Sequence, residues 1–333
     1  MLSAVKNSGL LQYLAEGQFR QYQLNAVNRR QSSSYFLPNL QLKLEFKNTH
    51  YLQLGYKKNV SFASAYLLNA APYLADYRNI YAASAVDFQT PLRQDLWNIR
   101  YFYFDLYSGT MLVVNSSWLK TGHYIVTNSK NEGSYNLLNY LNSPGQKRWD
   151  NGFTAEQRLP MLKAKATLSG TYSLSRGYAY INQVLNDART GIYGARVALK
   201  SNFEKAFFNY QAGFSYRYIS SVYRQVPLKN NTAVYRPYLN VDGKISSSLS
   251  YHADNAYQVY TAAGIRESFY ELDLKIKYAI PRGKWAVALQ GNDVLNLNHT
   301  SVLRTSAQNN VFQQDVLSRL PGYIGVGLNY TLL

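Results

Sequence analysis

The stretch RLPGYIGVGLNYTLL, residues 319–333, decides the fold class of this chain. From Ile324 onward every second residue is apolar, and small or polar residues fill the positions between them. The apolar positions are Ile324, Val326, Leu328, Tyr330 and Leu332. A period of two places these side chains on one face of a β-strand. The rest of the sequence must therefore indicate what covers this apolar face.

The same alternation recurs along most of the chain. It is clearest in LQLKLEF at 40–46, FNYQAGFSYRY at 208–218 and ELDLKIKYAI at 271–280. The pattern predicts about fourteen strands, many of them near or above the roughly 9–11 residues of a tilted membrane strand. They lie near 18–30, 37–47, 50–60, 96–107, 110–126, 147–160, 162–174, 192–202, 207–222, 235–250, 255–264, 269–280, 284–295 and 320–333.

Short and long connections alternate between these strands. Tight polar turns are predicted at KNTH, SGT, RLPM, FEKA, HADN and PRGK, and longer links at 61–95, 127–146, 175–191, 223–234 and 296–319. An up-and-down barrel in an outer membrane has this asymmetry, with short periplasmic turns and long outer loops. The sequence therefore predicts an all-β, antiparallel transmembrane barrel over residues 1–333. Lipid would cover the apolar face, and the other face would line a polar lumen.

Composition agrees with this interpretation. Hydrophobic residues make up 47% of the chain, yet its mean hydropathy is −0.32, as expected if apolar and polar positions alternate. The chain has 32 tyrosines, which suit a boundary between apolar and wet surroundings. No run approaches the roughly 18 apolar residues of a spanning helix, and residues 1–18 lack the pattern of a signal peptide. A soluble sandwich or propeller is the alternative fold, but it does not explain lysines at strand centres opposite apolar rows.

The charge and the residue types exclude several functions. The chain has no cysteine, which excludes disulfides and thiolate chemistry. A net charge of +17 could attract nucleic acid, but the cations are spread over most strands rather than clustered, so no nucleic-acid partner is predicted. Ser3 and Lys6 match a Ser-x-x-Lys pattern without partner motifs, and the four histidines lack metal-ligand spacing. No enzyme activity, metal or cofactor is predicted.

Two stretches resemble TonB-dependent outer-membrane receptors. Residues 35–79 resemble a strand hairpin of the family that leads into a long outer loop. The hairpin ends in a Tyr-x-Lys pattern, and the loop contains an L-N-x-x-P-Y pattern. The matching positions in this chain are Tyr56, Lys57, Lys58, Leu68, Asn69, Pro72 and Tyr73. NDVLN at 292–296 resembles the edge of the family's penultimate strand. Two features depart from the family: the chain finishes on Leu333 rather than Phe or Trp, and no plug domain is recognised.

The resemblance implies a fold, a location and partners. Such receptors form barrels of roughly 22 strands with a plugged lumen, so residues 1–333 are expected to be the C-terminal portion of a barrel. The remaining strands and the plug would come from the same gene or from a second chain. The family imports nutrients through the bacterial outer membrane, with its C-terminus in the periplasm and an inner-membrane TonB-type motor as partner. A passive channel of fourteen strands and a structural barrel in a larger assembly remain alternative functions.

Two sets of residues are candidates for contact with solute or plug. The cations on the polar phases of the strands are predicted to face the lumen: Lys43, Lys57, Lys163, Lys165, Arg196, Lys200, Arg217, Lys244, Lys275 and Lys277. Aromatic and basic residues in the long links are predicted to contact substrate at the outer rim: Tyr73, Tyr77, Arg78, Tyr140 and Trp149. The alternatives are solvated or locally paired cations and an interfacial aromatic belt.

Overall fold

The computed structural model describes most of the chain. The described residues are 2–6, 9–26, 29–46, 49–63, 71–76, 79–83, 86, 90–181, 183–201, 203, 207–225, 228–262, 265–281, 283–297, 302–308, 311–317 and 322–330. Within these ranges, no helix has both the length and the apolar character to cross a membrane.

Nineteen β-strands lie in the described residues. They are β1 (Leu2–Lys6), β2 (Leu11–Ala26), β3 (Arg29–Phe46), β4 (His50–Ser61), β5 (Tyr73–Asp76), β6 (Asn79–Tyr81), β7 (Leu92–Asp105), β8 (Thr110–Asn131), β9 (Asn136–Leu159), β10 (Ala164–Ile181), β11 (Val184–Ser201), β12 (Asn209–Tyr223), β13 (Leu228–Lys244), β14 (Leu249–Ala262), β15 (Ile265–Ala279), β16 (Trp285–Asn292), β17 (Val302–Gln308), β18 (Val311–Leu317) and β19 (Tyr323–Tyr330).

Seventeen of these strands form one sheet, which confirms the predicted all-β, antiparallel, up-and-down architecture. Neighbours pair antiparallel from β1 to β4, then through β7 and on to β16, and β19 pairs with β16. Strands β17 and β18 form a separate hairpin in the link between β16 and β19. No register between β19 and either β1 or β2 closes the sheet within the described residues.

Tight turns mark one end of the sheet, as predicted. In the turn between β7 and β8, the Asp105 carboxylate accepts hydrogen bonds from the Ser108 hydroxyl (2.7 Å) and the Tyr107 backbone N–H (3.0 Å). These two donors, the hydroxyl first, lower the pKa of Asp105. A 3₁₀ turn, Pro160–Leu162, joins β9 to β10 in the same way.

The predicted turn at HADN is wrong. The connection between β13 and β14 lies at 245–248, where the Ser246 hydroxyl accepts the backbone N–H groups of Ser248 (3.2 Å) and Leu249 (3.1 Å). His252 and Asp254 lie inside β14, where their side chains contact each other at 2.8 Å. The registers place Asn255 on the outer face, where it donates to the Tyr270 hydroxyl at 3.0 Å. Polar residues at consecutive positions of the strand therefore imitated a turn.

Most of the predicted long links are also wrong, because strands extend through them. The link predicted at 127–146 is the end of β8 and the start of β9, connected by 132–135. The link predicted at 175–191 is likewise the paired tips of β10 and β11. The long connections are therefore mostly extended hairpins whose backbone groups pair with each other. Links with unpredicted elements of their own remain between β4 and β7 and between β16 and β19.

The sheet forks at its hairpin end. Strand β10 pairs with β9 only as far as Arg176 opposite Lys147, and above that point it pairs with β11 alone. There β9 takes a different neighbour: β6 runs parallel to it, with Asn79 opposite Asn136. The tips of the β8–β9 and β10–β11 hairpins therefore belong to separate branches.

The registers confirm that the main sheet has two chemically distinct faces. Residues opposite one another on neighbouring strands share a face. One row joins Leu52, Tyr101, Val114 and Phe153 across β4, β7, β8 and β9. A shift of one residue on each strand gives the row on the other face, which joins Gln53, Arg100, Asn115 and Gly152. We call these the outer face and the inner face.

Two aromatic belts cross the outer face. The hairpin-side belt consists of Tyr56, Trp97, Trp118, Trp149, Tyr172, Tyr193 and Tyr218, with neighbouring ring centroids 4.5–6.0 Å apart where they contact. The turn-side belt consists of Phe46, Tyr103, Tyr210, Tyr251, Tyr278, Trp285 and Tyr330. On β12 the belts are separated by about 27 Å along the strand, or about 20 Å along the normal at a tilt of about 40°. An apolar band between aromatic girdles is typical of a transmembrane barrel.

The face assignment yields a stability prediction. We expect Leu274→Arg to cost about 2–4 kcal/mol of folding free energy, because the new charge would enter the apolar band. Lys275→Leu, the next residue and on the inner face, should cost much less. Urea titration of both variants refolded into lipid vesicles measures the two losses, and equal losses would contradict the assignment.

Candidate functional site: the inner face and the hairpin rim

The inner face is the more enclosed of the two faces. Ala198 and Ala288 lie on it and keep 7% and 6% of their accessible surface. Their sequence neighbours Val197 and Leu289, on the outer face, keep 54% and 47%. This difference between adjacent residues is what a sheet that curves around its inner face would show, as in a barrel wall.

All but one of the cations predicted to face the lumen lie on the inner face. The registers place there Lys43, Lys57, Lys165, Arg196, Lys200, Arg217, Lys244, Lys275 and Lys277. Lys163 is the exception: it follows the 3₁₀ turn with a left-handed backbone (φ 44°) and belongs to no strand. Its placement on a strand was wrong, because the turn between β9 and β10 is longer than the sequence pattern indicated. The roles of these cations in contacting solute or plug stay predictions.

Few of these cations are neutralised by a neighbour. Lys43 contacts Glu45 at 3.4 Å, and Lys165 contacts Glu156 at 2.9 Å. In the part of the chain that the structure describes, the other seven form no ion pair: Lys57, Arg196, Lys200, Arg217, Lys244, Lys275 and Lys277. Asp242, Asp254, Glu271 and Asp273 lie on the same face, but most of these cations have no ion-pair partner, so the inner face keeps a positive field.

Three arginines line a groove on the inner face across β10 to β14, which we call the arginine groove. Its volume is about 620 Å³, and the arginines are Arg196, Arg217 and Arg236. Arg196 and Arg236 share one row, with Ser215 between them. Arg217 lies one row nearer the hairpin end, opposite Gly194. Sequence reasoning did not single out Arg236, although the phase of its strand could have placed it on this face.

Tyr238 fixes the position of Arg196. The Arg196 guanidinium donates two hydrogen bonds to the Tyr238 hydroxyl, at 2.8 and 3.1 Å, and lies 5.4 Å from the ring centroid. The ring lies over Gly213, where an added Cβ would approach Tyr238 to 2.5 Å and the Val197 carbonyl oxygen to 2.7 Å. A glycine is therefore needed at this position of β12 to accommodate the ring.

The outer-rim candidates come together only in part. Tyr73 stacks on Tyr81 at 5.1 Å, and Tyr81 stacks on Tyr140 at 5.4 Å, so β5, β6 and β9 share one tyrosine stack. Tyr77 and Arg78 lie outside the described residues. Trp149 is not in a loop: it lies within β9, opposite Trp118 in the hairpin-side belt, which corrects its assignment to the rim.

Side chains bridge the fork in the sheet. The Tyr124 hydroxyl of β8 contacts both the backbone N–H and the carbonyl of Tyr178 in β10. Asn128 accepts the backbone N–H of Gln183 at 3.1 Å and donates to Asn139 at 2.8 Å. Tyr124 and Asn128 are both buried, so the two branches are joined through packed side chains rather than through the backbone ladder.

Within the described ranges, no group of three His, Asp or Glu side chains could hold a metal ion. Comparison with known proteins gives no family for this chain: no protein-family model matches the sequence, and no curated protein does so either.

The contact between Gly213 and Tyr238 yields a second prediction. We expect Gly213→Ala to destabilise the protein by about 1–3 kcal/mol, because the ring and the facing carbonyl must both shift. Gly325→Ala is the matched control, since its Cβ would meet only the Gln290 carbonyl oxygen, at 4.0 Å. Urea unfolding in lipid vesicles measures both, and a Gly213→Ala variant as stable as the control would contradict the packing described.

The bridge at the fork yields a third prediction. We expect Tyr124→Phe to speed amide hydrogen exchange in residues 177–186 about fivefold, because a net hydrogen bond is worth about 1 kcal/mol. Tyr257→Phe, on an exposed ring of β14, is the control and should leave exchange there unchanged. Mass spectrometry of peptides from the folded protein measures the rates. Unchanged exchange in the Tyr124 variant would show that the bridge does not hold the tips together.

Proposed function

We propose that this chain is part of the barrel wall of an outer-membrane receptor of the TonB-dependent type, which imports a nutrient too large or too scarce for open channels. The observation that carries the proposal is the combination of an apolar outer face, two aromatic belts and an enclosed, basic inner face. This combination suits a sheet with lipid outside and water or a plug inside. The resemblance of residues 35–79 and 292–296 to such receptors supports the choice of this class.

In the proposed receptor, the hairpin end of the sheet and the inner face have different roles. The extended hairpins, with the tyrosine stack of Tyr73, Tyr81 and Tyr140, would meet the substrate outside the cell. Aromatic rings are suited to sugar and peptide surfaces, and rigidly mounted loops commonly carry binding residues. The inner face would hold the plug and conduct the substrate once the plug moves.

Further parts of the receptor would come from outside residues 1–333. A plug and additional barrel strands, in the same gene product or in a second chain, would fill the lumen and pair with β1 and β19. An inner-membrane motor of the TonB type would supply the energy for moving the plug. The tight-turn end would then face the periplasm, together with the C-terminus. No enzymatic activity is part of the proposal.

Labelling of intact cells tests the proposed orientation. We expect the Ser134→Cys variant, at the tip of the β8–β9 hairpin, to react with a membrane-impermeant maleimide added outside. The Met161→Cys variant, in the opposite turn, should react only after the outer membrane is permeabilised. Both positions are exposed, and the chain has no cysteine of its own, so background labelling is absent. Labelling of both variants in intact cells would overturn the orientation.

Conductance separates the receptor from the alternative of a passive channel. The full-length gene product in a planar bilayer should conduct little until denaturant displaces the plug, because the plug fills the lumen. A steady conductance from the start, unaffected by mild denaturant, would instead favour a passive channel.

A further inference from the structure

The arginine groove contains three positive charges. No acidic side chain is among the described residues that line it. Arg196 bonds only to the neutral Tyr238 hydroxyl, and Arg217 has no hydrogen-bond or ion-pair partner in the described part of the chain. Arg236 contacts Glu271, but at 3.7 Å and with both groups partly exposed to solvent, so this pair is weak. Three arginines thus line one cavity. Arg196 and Arg236 also line an adjoining cavity that contains Asp254, Glu271 and Asp273, so Arg217 is the arginine farthest from the carboxylates.

The groove also has an apolar floor. Ile192 and Ile219 lie opposite each other on β11 and β12, and Val234 and Tyr260 continue the floor on β13 and β14. Ile219 and Tyr260 are buried, keeping 2% and 1% of their accessible surface. Ile192 and Val234 are only partly buried, so a simple inorganic anion would use the arginines and leave the remaining apolar surface of these two residues uncovered. A ligand that carries an apolar body would use both.

A buried hydroxyl without a partner lies beside the groove. Thr232 lines the groove, keeps 1% of its accessible surface, and its hydroxyl has no hydrogen-bond partner in the described structure. Buried polar groups without partners are uncommon, and each calls for an explanation. Because less than 1 Å² of this oxygen is accessible, an acidic oxygen bound at the groove reaches it only when a lining side chain moves aside.

The distances between the three arginines determine which arrangement of acidic groups can bind in the groove. Arg196 and Arg236 are two strands apart, about 9–10 Å between backbones. Arg217 lies about 7 Å along the strand direction from that row, between the two. Guanidinium groups bind carboxylate and phosphate oxygens in a bidentate manner. Two acidic groups on one small molecule can therefore bind different arginines at once.

We propose that the arginine groove binds a small organic anion with two acidic groups on an apolar body. Its acidic groups would bind the three arginines, and its body would cover the exposed parts of Ile192 and Val234. The site is the inner face of the proposed receptor barrel, so this inference rests on the proposed function and adds a substrate class to it. The substrate would bind here after it leaves the hairpin rim.

Direct binding to the chain in lipid nanodiscs tests the site. The probes are naphthalene-2,6-dicarboxylate, its monocarboxylate analogue 2-naphthoate, and inorganic phosphate, each titrated by calorimetry. We expect saturable binding of the dicarboxylate to one site, with weaker binding of the monocarboxylate and of phosphate. Absence of saturable dicarboxylate binding overturns the proposal, and so does phosphate binding that is equally tight.

Substitutions locate the site. We expect Arg217→Gln to weaken dicarboxylate binding about tenfold or more, since hydrogen bonds to charged groups are among the strongest available. Arg100→Gln is the matched control: it removes the same charge from the inner face, on β7, outside the groove. Its effect should stay below twofold. Equal weakening by both variants would assign binding to the general field and overturn the site.

Additional variants keep the result interpretable. If Arg217→Gln does not fold, Arg196→Gln and Arg236→Gln provide the same reading, and heat-modifiable gel migration reports folding of each. Thr232→Val should weaken binding of the dicarboxylate about threefold. An unchanged affinity would show that the Thr232 hydroxyl does not contact the ligand. Binding is measured without plug or motor. Absence of binding would therefore not contradict an orientation established by labelling at Ser134 and Met161. A failure of that labelling would instead concern the receptor orientation.

Discussion

The structure depends on one constraint: each backbone N–H and C=O of a strand must find a partner on the neighbouring strand. In the main sheet that requirement is met by antiparallel ladders from β1 to β16 and on to β19. Pairing fixes the register, and register places every second residue on the same face across all neighbours. The outer apolar band, the belts and the basic inner face all follow from this alignment. A slip of one residue on any strand would exchange its two faces.

The sequence alone was sufficient wherever one face of a strand is apolar. Strands such as β15, β16 and β19 alternate without interruption, because an apolar environment on one side rejects polar residues there. Beyond the hairpin-side belt this selection ends. In the tips of β8 and β9, apolar residues such as Ile125, Val126, Leu137 and Leu138 are adjacent in sequence rather than alternating, so periodicity could not distinguish a paired strand from a loop. The turn predicted at HADN failed for a related reason, since the polar residues of β14 resemble turn residues when the partner strand is unknown.

The candidate site, like the fold, could be predicted from the sequence only in part. The facing of Lys43, Lys165 or Arg217 could be predicted, because it needs only the phase within one strand. The arginine groove could not, because Arg196, Arg217 and Arg236 meet only through the registers between three strands. Those registers depend on turn lengths and on packing across neighbours. Similarly, Gly213 has no sequence signal of its own, and its role emerges only when the Tyr238 ring of the next strand is in place.

The fork between β9 and β10 makes the stiffness of this wall uneven. Below it, bending the sheet would break many backbone hydrogen bonds at once, so the wall resists deformation as a unit. Above it, the branch with β5, β6, β8 and β9 is joined to the other branch through the side chains of Tyr124 and Asn128. Replacing those few contacts with water would let one branch move relative to the other while the sheet below the fork stays paired. The hairpin tips can therefore separate without the loss of a single backbone hydrogen bond between β9 and β10.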